Sequence, residues 1–183
     1  MTEIKQTKMK KGQIWIETVL YTLIGLALIG IVLGILMPRI NQARDRAAVE
    51  QAIEAMSALD SKILEVGDRG AGNVRVIEAF TIKQGSLEID AGQDALTFVV
   101  PDLKKPYSEP GAVIGLGRIK LLTTEERQSS KAELSLNYSG MFNISYNGQE
   151  GKYTFAAASQ PYSLTLKNLG RINSTLGIDI TSR

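Results

Sequence analysis

The hydrophobic pattern changes twice along the chain. From Thr18 to Met37, twenty residues run without a single charge. From Arg39 to Val66 the apolar positions thin out to Ile40, Ala43, Ala47, Ile53, Met56, Leu59, Ile63 and Val66, at spacings of three, four or six. Arg44, Arg46, Glu50, Glu54, Asp60 and Lys62 interleave with them, the period of an amphipathic helix. The two stretches predict one long helix over 14–66, with Pro38 at the junction as a kink or as the point of membrane exit. Gly67 predicts its end, since 67–73 holds three glycines in seven residues and reads as a C-cap and hinge.

Beyond that the period falls to two. Val74, Val76 and Ala79–Ile82 read as a strand, as do Leu87–Ile89, Leu96–Val100, Val113–Leu122, Leu134–Tyr146, Lys152–Ala157, Tyr162–Leu166 and Leu176–Thr181. Asn147-Gly148 is a tight-turn signal. Residues 101–111 hold three prolines and read as a loop, and 123–131 as a polar connection. Gly115 and Gly117 flank one residue in a strand-like run and suggest a bulge. The expected class is α+β: a transmembrane and amphipathic helix, then a small antiparallel β domain, a sandwich or a partly open barrel.

The uncharged stretch spans about 30 Å as a helix, the thickness of a bilayer's hydrocarbon. A secretory signal has an apolar core of only about 7–15 residues, and Leu36-Met37-Pro38-Arg39 is a poor cleavage site. Four lysines precede the stretch and three arginines follow it, so charge favours a cytoplasmic N-terminus by a narrow count.

Just before the stretch stands Lys10-Lys11-Gly12-Gln13-Ile14-Trp15-Ile16-Glu17. An acid at the centre of a membrane helix costs about 2.5 kcal/mol or more, so Glu17 near hydrocarbon calls for a partner. This string resembles the class III signal of archaeal type IV pilins. The resemblance implies cleavage between Gly12 and Gln13 by a prepilin peptidase that recognises Lys10 and Lys11. The apolar helix would then stay as the N-terminus of a filament subunit. It further implies that Glu17 pairs with the new terminal amine of a neighbouring subunit. The implied partners are further copies of the chain, the peptidase, an assembly ATPase with its membrane platform protein, and the bilayer before assembly. The implied place is the cell membrane and then a surface pilus serving adhesion or a related contact.

On this reading the segments are a leader at 1–12, a helix at 13–66 divided into 18–37 and 39–66, a glycine-rich connection at 67–73 and a β-rich extracellular domain at 74–183. The alternative is a single-pass anchored binding protein that never polymerises and keeps its first twelve residues. The amphipathic face can pack on the chain's own domain, meet other subunits, or do both at once. Gly30 and Gly34 form a GxxxG, a spacing that lets membrane helices approach closely.

Composition narrows the chemistry. The chain has 183 residues, a net charge of +2, no cysteine and no histidine. No disulfide framework or thiolate metal site can be built. The common nucleophile–base pairs are missing and no EF-hand spacing occurs, so neither an enzyme nor a bound cofactor or metal is expected. Loss of 1–12 would leave 17 basic and 18 acidic residues, which gives no nucleic-acid footprint. Three Asn-x-Ser/Thr sequons, at Asn137, Asn143 and Asn173, are candidate N-glycosylation sites. The alternation through Leu134–Tyr146 would put Asn137 and Asn143 on the polar face of one strand.

Overall fold

The computed structural model describes residues 11–172 and 174–182. The described chain is one α-helix followed by ten β-strands, α1 spanning Lys11–Gly67. The strands are β1 (Val74–Phe80), β2 (Ser86–Asp90), β3 (Ala95–Leu103), β4 (Val113–Leu116) and β5 (Ile119–Glu125). They continue with β6 (Ser130–Asn137), β7 (Phe142–Tyr146), β8 (Lys152–Ala156), β9 (Tyr162–Ile172) and β10 (Thr175–Ser182). This bears out the α+β class, an apolar N-terminal helix ahead of a β-sheet domain.

The chain divides into two compact units at residue 41, three residues past Pro38. The first carries the apolar half of α1. The second, Gln42–Arg183, contains the amphipathic half of α1 and all the strands. They form two sheets, one of order β1-β9-β10-β7 and one of order β4-β5-β6-β3-β2-β8. Cross-strand pairs stack on one face of the larger sheet: Leu87 with Phe98, Ile89 with Leu96, Leu96 with Leu136, Phe98 with Leu134 and Leu121 with Leu134. These residues are fully or almost fully buried.

Val49, Ala52, Met56, Leu59, Ile63 and Val66 of α1 close that core from the helix side, each at most 1% exposed. Their spacing of three or four puts them on a single stripe, so the helix presents one apolar face and keeps its charges outside. That face packs on the chain's own domain.

The helix ends where the glycine predicts. A Cβ on Gly67 would come within 2.7 Å of the Phe142 ring, so only glycine lets the helix end pack that closely. The chain just past the helix is tied down by Asn168, a fully buried side chain on β9. Its amide donates to the carbonyls of Val66 (2.9 Å) and Arg69 (2.8 Å), and its Oδ1 accepts from Gly170 N–H (2.8 Å). Carbonyls orphaned at a helix C-terminus thereby find a partner inside the protein.

Polar ties fasten the helix elsewhere. The Tyr138 hydroxyl donates to Asp60 (2.8 Å), Arg118 pairs with the same carboxylate (3.2 Å), and its guanidinium lies 5.3 Å from the Tyr138 ring centre. Burial, then the Asp60 hydrogen bond, hold the Tyr138 phenol above its ordinary value, against the pull of Arg118, so it stays a neutral donor.

Glu65 accepts from Lys62 (2.8 Å) and from Arg75 of β1 (2.7 Å). Hydrogen bonds from Lys62 and then Arg75 lower its pKa from 4.5 to about 2. A depressed folded-state pKa adds stability above the unfolded value and loses it as pH falls through the folded one. The melting temperature of the second unit is therefore expected to fall as pH drops from about 4.5 to about 2. Glu65→Gln is expected to melt a few degrees lower at neutral pH and to lose less on acidification. Thermal scans across that range test this, and an unchanged acid slope in the variant would count against the ties to Lys62 and Arg75.

Several expectations need correction. The run Val113–Leu122 is two strands, because Gly117 (φ +64°) reverses the chain into a β4–β5 hairpin rather than forming a bulge. The run Leu134–Tyr146 is also two strands, β6 in the larger sheet and β7 in the smaller. The break falls at residues 138–141, where Met141 and Phe142 N–H groups both donate to Tyr138 O. Pro101 lies within β3, next to an irregular register, and the loop begins only after Leu103. The polar connection at 123–131 is the end of β5, a tight turn closed by Glu126 N–H to Ser129 O, and the start of β6.

The domain is not wholly antiparallel, since β7 and β10 run parallel, with Ile144 opposite Ile178. A parallel pair needs a long crossover, and here the crossover passes through β8 in the other sheet. The Asn147-Gly148 turn forms with both residues at positive φ, yet its arms join only through a Tyr146–Gln149 bridge.

Candidate functional site

The candidate site is the N-terminal part of α1. The helix begins at Lys11, so the backbones of Gly12 and Gln13 lie in its first turn. Lys10 and Asn173 are outside the described residues. The helix is long and apolar enough to cross a membrane, and none of its most apolar window is buried within the chain. Trp15 is 74% exposed, and Leu26, Ile29, Ile31 and Ile35 are all exposed as well. A contiguous apolar surface of this size is not left facing water in an ordinary soluble protein. Water is the wrong solvent for it, while hydrocarbon or other apolar helices suit it.

Glu17 is exposed at the start of this surface, and among the described residues no cation forms an ion pair with it. Gly30 and Gly34 have open space where a Cβ would stand, with nothing within 4 Å. Each glycine costs an exposed helix roughly 1 kcal/mol relative to alanine, and no close approach among the described residues offsets that. Thr22 bonds back to the Thr18 carbonyl (2.7 Å), which satisfies its hydroxyl without a partner helix. Pro38 sits inside α1 and the helix continues past it. It lacks the N–H that would reach the carbonyl of Gly34, one weak rung near the end of the apolar stretch.

The sequons separate in the structure. Asn137 is exposed at the end of β6, and its Oδ1 accepts the Ser139 N–H (2.8 Å). Asn143 is half-buried in β7, in the other sheet, where the neighbouring Ile144 N–H donates to Asp94 (2.8 Å). The expected shared polar face does not exist, because the chain turns between them. Among the described residues no group of three or more acidic, histidine or cysteine side chains could hold a metal ion.

Sequence reasoning missed Asp60, Arg118, Tyr138 and Asn168. The bonds of Asp60 and Asn168 span 58 to 102 positions, and no local pattern marks such pairs. Comparison with protein-family models, with curated proteins and with solved structures finds no match in any of the three.

Proposed function

We propose that this chain is a pilin-like structural subunit of an extracellular filament. Before assembly its apolar helix is inserted in the membrane with the N-terminus in the cytoplasm. The observation that carries this reading is an uncharged helical stretch of twenty residues, exposed at every position but Gly25, directly behind Lys-Lys-Gly-Gln and an exposed Glu17. A plain anchor has no use for an acid at that place, or for glycines with nothing packed on them. A subunit joined to its neighbours through the helix has a use for both. The division of labour along α1 also supports the reading. The amphipathic half packs into the domain's core, while none of the most apolar window is buried among the described residues. On this reading the protein does no chemistry of its own.

Processing gives the test. N-terminal sequencing and intact mass of the membrane-extracted protein are expected to show a chain that begins at Gln13, allowing for cyclisation of that glutamine. A native protein that retains residues 1–12 would sink the filament reading and leave a single-pass anchored binding protein in its place.

A further inference from the structure

The turn that follows β7 carries the one Asn-Gly dipeptide of the chain, Asn147-Gly148. Both residues have positive φ (51° and 70°), the conformation that asparagine and glycine supply to a tight turn. The same pair is chemically labile, because glycine puts no side chain in the way of its own backbone nitrogen. In deamidation the Gly148 N–H proton goes to solvent base and the nitrogen attacks Asn147 Cγ. The new N–Cγ bond forms, the Cγ–Nδ2 bond breaks and ammonia leaves. Water then opens the cyclic imide to aspartate or isoaspartate. Asn147 and Gly148 are both exposed, so water reaches them freely.

The nucleophile, however, is tied down. Gly148 N–H donates to Asp179 Oδ1 (2.7 Å), and the Ser145 hydroxyl donates to the same oxygen (2.7 Å). Asp179 is buried in β10. Lys167 stands opposite it on β9 and forms no ion pair with it among the described residues. The neighbouring Asn147 N–H donates to the Ile180 carbonyl (3.0 Å), so both turn amides are held by β10.

We propose that Asp179 shields Asn147-Gly148 from deamidation, by holding the proton of the attacking nitrogen and by setting a negative charge beside it. The nitrogen must shed that proton before it attacks. A carboxylate that accepts the N–H favours the protonated amide, and its charge disfavours the amide anion. Release of an N–H from a charged acceptor lowers the reactive fraction roughly tenfold to a hundredfold. Asp179 does not serve as the base, since a carboxylate is far too weak to deprotonate a backbone amide.

The shield protects the sheet as well as the turn. Isoaspartate inserts a methylene into the main chain and adds a charge beside Asp179. Both ties from the turn to β10 would be lost, at the end of the parallel β7–β10 pair and on the edge strand of the smaller sheet. The inference needs only the folded second unit and stands apart from the filament reading.

The full-length protein, extracted from membranes, is held at mildly alkaline pH. The peptide that contains Asn147 is followed by mass spectrometry for conversion to aspartate and isoaspartate. Folded wild type is expected to convert at least about tenfold more slowly than the same chain in urea, and D179A about tenfold or more faster than folded wild type. D179N keeps an acceptor of the same shape without the charge, and its rate is expected to fall between wild type and D179A. It also carries the test if D179A does not fold. Y146F loses the hydrogen bond between the Tyr146 and Ser182 hydroxyls (2.6 Å), another tie between β7 and β10, and is expected to convert at the wild-type rate. A folded wild type that converts as fast as the denatured chain overturns the proposal. So does either Asp179 variant that melts as wild type does and converts no faster. A Y146F rate as high as that of D179N would assign the protection to the stiffness of the sheet, and overturns it too.

Discussion

A chain shortened to begin at Gln42 is expected to be soluble and to unfold in one cooperative thermal transition, whereas one beginning at Val74 is expected to aggregate or to melt far lower. The difference is the amphipathic half of α1. Val49, Met56, Leu59, Ile63 and Val66 are fully buried in the core they share with the sheets. Burial of such side chains stabilises by about 1.5–3 kcal/mol each, so five of them contribute on the order of 10 kcal/mol. That matches the whole net stability of a typical domain, about 5–15 kcal/mol. Removal of the helix also strips the Tyr138 hydroxyl of Asp60 and the Asn168 amide of the Val66 carbonyl, and leaves buried donors without partners. Differential scanning calorimetry of the two shortened chains decides it. Equal melting temperatures would mean that the sheets hold their own core without the helix.

Glu17→Gln is expected to abolish or nearly abolish filaments while membrane insertion and processing continue. The side chain keeps its shape and loses its charge, so the change reports on charge alone. Removal of one partner from an ion pair in a low-dielectric setting costs about 3–5 kcal/mol, which is about two to four orders of magnitude in an association constant. Glu17 forms no ion pair among the described residues, so no loss of stability within the domain is expected to accompany it. Negative-stain counts of filaments, beside the N-terminal sequence of the variant, give the measurement. Normal filaments in the variant would remove the assembly role proposed for Glu17. If processing were lost as well, the residue would belong to peptidase recognition instead.

Neither experiment depends on the detail of the β domain, and that is where sequence reading was weakest. The alternation from Leu134 to Tyr146 is nearly perfect, yet the chain breaks at 138–141 and its two parts enter different sheets. Alternation reports which side chains are buried, and both parts are buried on alternate positions. It carries no information on whether the core they face is reached by one strand or by two. The same ambiguity joined β4 to β5 across Gly117, where a positive φ rather than a change in polarity makes the turn.

The sequence by itself determined the features that depend on near neighbours and on solvent. An uncharged run of twenty residues fixes a helix with no place in water. A stripe at spacings of three and four fixes one apolar face, and Gly67 fixes where the helix stops. The string on which the proposed processing and assembly rest is likewise local, within eight consecutive positions. The tertiary structure alone decided which partner that apolar face takes, how the strands divide between two sheets, and that β7 runs parallel to β10. It alone brought Asp60 to Tyr138 and Arg118, and Val66 to Asn168. These are closures of long loops, in which many pairings satisfy the same alternation, and the choice rests on the summed packing of a core that no single segment encodes.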